Sequence, residues 1–334
     1  ALHGVATDVF AAAMRHAGFA APIEVVEQRE PDPNFPTVTF PNPEEPRALD
    51  LLIEYAGTHN AHIAIAHDPD ADRCAAVVAT TQGWRMLTGD EVGALLGWWL
   101  LNRPDASAHP GSFAASLVSG TQLARIAEAS GIPYATTLTG FKWISRVPGL
   151  AYGYEEALGY CVDPAHVADK DGITAGLLLC ELAAQARAWA TDLLGVLDDL
   201  ALRFGVESTR QVSIRFARAD QAHDIIDQLL TSPPAHIGGL SITRIADLAA
   251  GMDDLPPTPG LLAELDGAMN VDVRARVIIR PSGTEPKVKA YLLVHCAPHE
   301  DLVAARAVVE QTMHTLLAAV PALIAPPTVD SSRV

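Results

Sequence analysis

The stretch PDPNFPTVTFPNPEEP (31–46) holds six prolines and sets the first limit on the fold. Proline fixes φ and lacks an amide donor, so so dense a run forms neither helix nor central strand. An extended loop is predicted there. Before it, Thr7 is placed to cap a helix running through Met14, with Gly18 as its stop and IEVVEQ (23–28) as a following strand. After it come a helix over about 47–56, a short strand ending AHIAIAH (58–67) and a second strand, CAAVVAT (74–80). A helix capped near Asp90 would carry Val92, Leu95, Leu96 and Trp99 on one face. These pieces make an α/β unit over 1–103, closed by Asn102-Arg103-Pro104.

A second unit, 104–206, is read from a strand FAASLV (113–118), a helix TQLARIAEAS ending at Gly131, the segments TGFKWI and GYEEALGY, and a long helix over about 171–189. The third, 207–334, has strands at SIRF (213–216), SITRIAD (241–247), VRARVII (273–279) and VKAYLLVH (288–295). Helices near 219–230 and 299–319 flank them, which is an α+β arrangement. The tail APPTVDSSRV is expected to fray.

Charge limits the partners. With 23 Lys+Arg against 40 Asp+Glu the formal charge is −17, which repels nucleic acid and anionic membranes overall. An anionic ligand must then be small and met by a local group of donors. No apolar run reaches a membrane span by eye, VGALLGWWLL (92–101) being too short, and ALHGVATDVF lacks the pattern of a signal peptide. Cys74, Cys161, Cys180 and Cys296 form no CxxC pair, which fits a reducing cytoplasm rather than a zinc site.

Five segments carry candidate chemistry. HDPDADR puts Asp68, Asp70 and Asp72 at alternate positions of one turn, with Arg73 beside them. Carboxylates so crowded repel unless a cation neutralises them, and open positions for water or phosphate suit Mg²⁺. A calcium EF-hand loop fails, because Arg73 stands where it needs Gly and Ala79 where it needs Glu. The bland alternative is a solvated acidic turn. TLTGFKWISR (137–146) offers Lys142 and Arg146, although Phe141, Trp143 and Ile144 read as core and Lys142 could merely lay its stem along them. In GYEEALGY (153–160) the neighbouring side chains Glu155 and Glu156 diverge, so they do not make an acid/base pair, but one could accept hydrogen bonds from sugar hydroxyls. In DKDGI (169–173), Asp169 or Asp171 reads as a helix cap. In RPSGTEPK (280–287), Arg, hydroxyls and Gly at a turn between strands can aim donors at one phosphate, or form an ordinary solvated turn. No GxGxxG, P-loop, HExxH or GxSxG pattern occurs.

Taken in order, DPDADR, TGFKWI, GYEEALGY with DKDGI, and RPSGTEPK resemble the α-D-phosphohexomutase family, nearest its phosphoglucomutase/phosphomannomutase members. The resemblance spans essentially the whole chain. It implies a multi-domain α/β fold: two α/β/α domains with mixed sheets, at 1–103 and 104–206, then a smaller α+β domain of TBP-like form at 207–334. Those would be the family's second, third and fourth domains. The chain would then be a C-terminal portion, with the family's first domain, bearing a phosphoserine in a T-A-S-H-N-P-like loop, as its missing partner.

The resemblance further implies that Asp68, Asp70 and Asp72 hold Mg²⁺ and that Arg73 sits beside the transferring phosphate. Lys142 would face the substrate, and Glu155 and Glu156 would read sugar hydroxyls. Arg280, Ser282, Gly283 and Thr284, helped by Lys287, would clamp the phosphate that does not react. Many members have Ser where this chain has Ala157, which removes one hydroxyl contact. The implied activity interconverts hexose 1-phosphate and hexose 6-phosphate, of glucose or mannose, through a phosphoserine and a bisphosphorylated sugar. The chain alone is expected to be inactive. A non-catalytic sugar-phosphate binder and an amino-sugar phosphomutase remain the alternatives.

Overall fold

The prolines of 31–46 do keep that stretch out of helix and strand: it is a succession of turns in the computed structural model, which describes residues 1–106, 111–218, 220–252, 254–267, 272–282 and 285–325. The chain divides into two units, 1–199 and 200–334.

The first unit opens with α1 (Ala6–His16), whose Phe10 and Met14 are buried. Thr7 does not cap it; its hydroxyl donates to the Arg29 carbonyl at 3.0 Å. After α2 (Asp50–Thr58) come β1 (Ala64–His67), β2 (Cys74–Thr80) and β3 (Gly83–Met86), an antiparallel sheet in the order β1-β2-β3. The short links 68–73 and 81–82 permit only antiparallel neighbours, since a parallel pair needs a crossover of a dozen residues or more. IEVVEQ does not become a strand. Only Val26–Gln28 is regular there, as a turn of 3₁₀ helix. A strand needs a neighbour to satisfy its amides, and the segment instead lines a cavity of about 300 Å³ with Phe10, Ile63 and Ile65.

Next, α3 (Gly89–Asn102) buries Val92, Leu95, Leu96 and Trp99 as its periodicity predicts. Its cap is Thr88, which with Glu91 forms a reciprocal capping box, not Asp90. The mixed sheet β5-β4-β6-β7 joins β4 (Ser112–Ser116), β5 (Tyr134–Thr137), β6 (Leu150–Glu155) and β7 (Gly159–Cys161); β4 runs parallel to β5 and β6, and β7 antiparallel to β6. Helix α4 (Gln122–Ala129) follows β4, and TGFKWI forms the single turn α5 (Phe141–Ile144). Although grouped with 1–103 from sequence, α3 packs on β6 and α4. Its glycines make that possible: a Cβ on Gly93 would lie 2.5 Å from the Tyr154 ring and one on Gly97 2.3 Å from Leu123. The long helix α6 (Gly172–Ala188) is capped by Asp171, and α7 (Leu193–Phe204), unforeseen from sequence, runs across the division.

The second unit is one antiparallel sheet, β8-β13-β12-β11-β10-β9. Its strands are β8 (Val206–Arg215), β9 (His236–Ile237), β10 (Leu240–Asp247), β11 (Leu261–Asp266), β12 (Val273–Pro281) and β13 (Lys287–Cys296). Strand β8 is far longer than the SIRF segment read from sequence. Helix α8 (Asp220–Thr231) packs on β12, and α9 (Leu302–Ile324) on β8 and β13. By length and composition α9 could cross a membrane, against the sequence expectation that no run is long enough. Its Ala305, Val309, Met313, Leu316 and Val320 face is nevertheless buried, while Arg306, Glu310 and His314 are exposed. That is the stripe of a helix lying on a sheet.

Candidate active site

The link between β1 and β2 brings Asp68, Asp70 and Asp72 together: one carboxylate oxygen from each lies within 4.8 Å of the others. Asp68 is buried, Asp72 half-buried and Asp70 exposed. Two unit charges at that spacing repel by about 3 kcal/mol at an effective dielectric of about 20, and by less where water reaches Asp70. Burial, reinforced by Asp72 and Asp70, pushes the Asp68 carboxyl up to about 6, although the Arg73 amide donates to it at 3.0 Å. Such a donor set, all hard oxygen and short of counter-charge, fits a divalent cation such as Mg²⁺.

Backbone close to the loop holds it in shape. Ala71 adopts a left-handed φ of 63°, and its amide donates to the Asp68 carbonyl at 3.0 Å. The Gly172 amide, at the head of α6, donates to the Ala71 carbonyl at 3.0 Å, and the Val5 amide to the Pro69 carbonyl at 2.9 Å. Gly4 touches the same stretch, where a Cβ would stand 2.3 Å from the Pro69 oxygen. His67 Nε2 is 3.0 Å from the Gly172 carbonyl; burial drops this imidazole to about 4, so it is neutral and structural.

Two cations attend the carboxylates. Arg73 Nε lies 3.5 Å from Asp68 and 3.8 Å from Asp72. Lys170 Nζ contacts the other Asp72 oxygen. Lys170 belongs to DKDGI, which the sequence reading treated as a helix cap. That part holds through Asp171, but the lysine beside it was missed, being 98 residues from its partner in the chain.

The hairpin of β6 and β7 reaches the acidic loop as well: the Cys74 amide donates to the Leu158 carbonyl at 3.1 Å, and Arg73 bridges to Gly159. Of its two glutamates, Glu155 accepts from the Gly140 amide at 2.5 Å and so ties the hairpin to the turn before α5. Glu156 turns the other way and accepts from the Ser116 and Ser119 hydroxyls, each at 3.2 Å. Lys142 is exposed, with Nζ 5.7 Å from the centre of the Trp143 ring, and Arg146 is exposed too. Phe141 and Ile144 are core, as expected.

In the second unit, Arg280 lies one residue before the end of β12, opposite Lys289 of β13, and the Ser282 amide donates to the Lys287 carbonyl at 2.8 Å. Gly283 and Thr284 lie outside the described residues. Lys287 Nζ sits 2.5 Å from Glu285, and Arg215, at the end of β8, sits 3.5 Å from it. The Lys287 ammonium holds the Glu285 carboxyl below the usual carboxylate range, with Arg215 adding to it. Arg215 was not singled out in the sequence; the pairing of β8 with β13, Arg215 opposite Lys287, brings it there. In a chain of net charge −17, this sheet end gathers Arg215, Arg280, Lys287 and Lys289.

Comparison with known proteins shows which family these domains belong to. The chain matches the phosphoglucomutase/phosphomannomutase alpha/beta/alpha domain II over residues 1–83, alpha/beta/alpha domain III over 88–199 and the C-terminal domain over 242–308. It is 40% identical over 295 residues to a probable phosphomannomutase of Haemophilus influenzae, covering 87% of this chain and 58% of that protein. It is 33% identical over 323 residues to the phosphopentomutase of Homo sapiens, covering 89% of this chain and 52% of that one. The chain thus spans little more than half the length of these relatives. A solved phosphoglucomutase/phosphomannomutase family protein from Burkholderia thailandensis shares the fold with a TM-score of 0.66 at 18% identity, over 97% of this chain and 59% of that one.

Proposed function

Because the chain belongs to the phosphoglucomutase/phosphomannomutase family, we propose that it is part of a sugar-phosphate mutase, an enzyme that moves a phosphoryl group between two positions of one sugar. The observation that carries this reading is the packing of three aspartates around one point, with Arg73 and Lys170 beside them. Phosphoryl transfer puts negative charge on the moving group, and its main demand on a protein is neutralisation and alignment. Mg²⁺ held by Asp68, Asp70 and Asp72 would supply Lewis acidity toward a phosphoryl oxygen.

The remaining steps fall to this chain's own side chains. Arg73 orients phosphoryl oxygens, and Lys170, an ammonium at the edge of the acidic loop, is placed to donate to an oxygen of the transferring phosphoryl group. Arg280, Lys287 and the Ser282 hydroxyl, with Arg215, bind the phosphate that stays attached; Glu285 releases Lys287 and Arg215 when a dianion arrives. Glu155 and Lys142 contact the sugar in this reading. Hexose 1-phosphate and 6-phosphate are the substrates in this reading, interconverted through a phosphoserine and a sugar bisphosphate. The sequence contains no T-A-S-H-N-P-like loop, so the chain alone binds sugar phosphates without sustained turnover. Four free, buried cysteines accord with a cytoplasmic setting.

The human phosphopentomutase relative favours a second substrate, a pentose phosphate. Calorimetric titration with glucose 1-phosphate, mannose 1-phosphate and ribose 1-phosphate, in Mg²⁺, tests the proposal and chooses between the sugars. At least one is expected to bind saturably, with the affinity lowered about tenfold or more in Arg280→Ala. If none of the three binds, or Arg280→Ala binds as well as the parent, the reading is wrong.

A further inference from the structure

Glu156 is half-buried, and one of its carboxylate oxygens is held by two side chains of the protein. Both hydroxyls that donate to it, Ser116 and Ser119, lie at the end of β4, 2.8 Å from one another. The Glu156 amide in turn donates to the Ser119 oxygen at 3.2 Å. Its carbonyl presses on the head of α3, where a Cβ on Gly89 would stand 1.8 Å away. Glu156 therefore touches two other elements with three of its own groups. Glu155, one residue earlier, is left on the opposite side, against the Gly140 amide.

We propose that Glu156 is a positioning residue, whose serine-held carboxyl fastens the β6–β7 turn to the end of β4 so that Glu155 is presented to the sugar. This deepens the mutase reading and rests on it. It also replaces the expectation that both glutamates read hydroxyls. The Glu156 oxygen that serves Ser116 and Ser119 is committed to the protein, on the side of the hairpin away from the Gly140 amide that Glu155 meets. Ala157, next in the turn between β6 and β7, adds no polar side-chain atom.

The charged and titratable groups around Glu156 are Asp90 from α3 and Glu155 from its own hairpin, with Tyr154 and Tyr160 nearby on β6 and β7. None is cationic. Burial, with repulsion from Asp90 and then Glu155, lifts the Glu156 carboxyl to about 7 from an ordinary value near 4.5. A raised carboxyl contributes stability that is present below the ordinary value and lost as pH rises through about 7. The latch should therefore loosen between pH 6 and pH 8.

Amide hydrogen exchange on this chain, which needs no sugar phosphate, separates this inference from the mutase reading. Glu156→Ala is expected to speed exchange about tenfold or more in residues 138–144 and 155–161, leaving 174–188 unchanged. Glu156→Gln, still able to accept from one serine and donate to the other, should restore the parent's protection. Corrected for intrinsic rates, that protection should fall from pH 6 to pH 8 in the parent and stay flat in Glu156→Gln. Unchanged exchange in Glu156→Ala, or equal loosening of 174–188, would overturn the latch. So would a Glu156→Gln variant with parental exchange but weakened glucose 1-phosphate affinity, because that would make Glu156 a sugar ligand.

Discussion

Gly172, the first residue of α6, lies so close to Arg73 that a Cβ on it would stand 2.3 Å from the Arg73 carbonyl oxygen. The second carbonyl it would strike is that of Ala71, at 2.7 Å, so the whole acidic loop rests on the bare head of this helix. Gly172→Ala must push the loop and helix apart, and overpacking of this kind costs about 1–3 kcal/mol. Denaturant unfolding should register that loss, accompanied by weaker Mn²⁺ binding. Parental stability and affinity together would show that the loop is not braced here.

Lys170 would compete with a divalent ion for Asp72. Its ammonium contacts one Asp72 oxygen, while Arg73 lies 3.8 Å from the other. Removing a positive charge this near a cation site, partly screened by water, should tighten Mn²⁺ binding about threefold to tenfold. Lys170→Met is the variant to titrate. Weaker binding in it would mean that Lys170 shapes the loop more than it opposes the ion.

Three fully buried tyrosines of the mixed sheet, Tyr152, Tyr154 and Tyr160, direct their hydroxyls at the first turns of α3. Tyr154 donates to Asp90 at 2.9 Å, and the Gly120 amide donates to the same oxygen at 2.6 Å. Tyr154→Phe deprives a buried carboxylate of a donor, which costs about 1–3 kcal/mol. Thermal or urea unfolding of this variant should show that loss. An unchanged midpoint would show that Asp90 finds another donor.

Much of this was legible in the residues, for identifiable reasons. Asp68, Asp70 and Asp72 stand within five positions of one another, so the turn between two strands settles their proximity whatever surrounds them. The buried face of α3 follows from its period alone. What failed depended on partners distant in the chain. IEVVEQ has the composition of a strand, but composition does not supply a neighbouring edge, and only a 3₁₀ turn forms. Thr88-x-x-Glu91 is a capping signature that could have been read; Asp90 drew attention instead, and it is turned inward to Tyr154 and Gly120. The contacts of Lys170 with Asp72, and of Arg215 with Glu285, arise from helix docking and strand pairing, and no local pattern announces them. For Glu156, local divergence from Glu155 was foreseen, while its serine partners lie 40 and 37 residues away.

The acidic loop as a divalent-ion cradle is the claim on which the chemistry depends, and titration with Mn²⁺ followed by electron paramagnetic resonance tests it directly. The parent chain should bind one ion saturably, displaced by Mg²⁺, and Asp68→Asn, Asp70→Asn and Asp72→Asn should each weaken that binding about tenfold or more. No saturable ion in the parent, or an ion held as tightly after all three substitutions, would contradict the account.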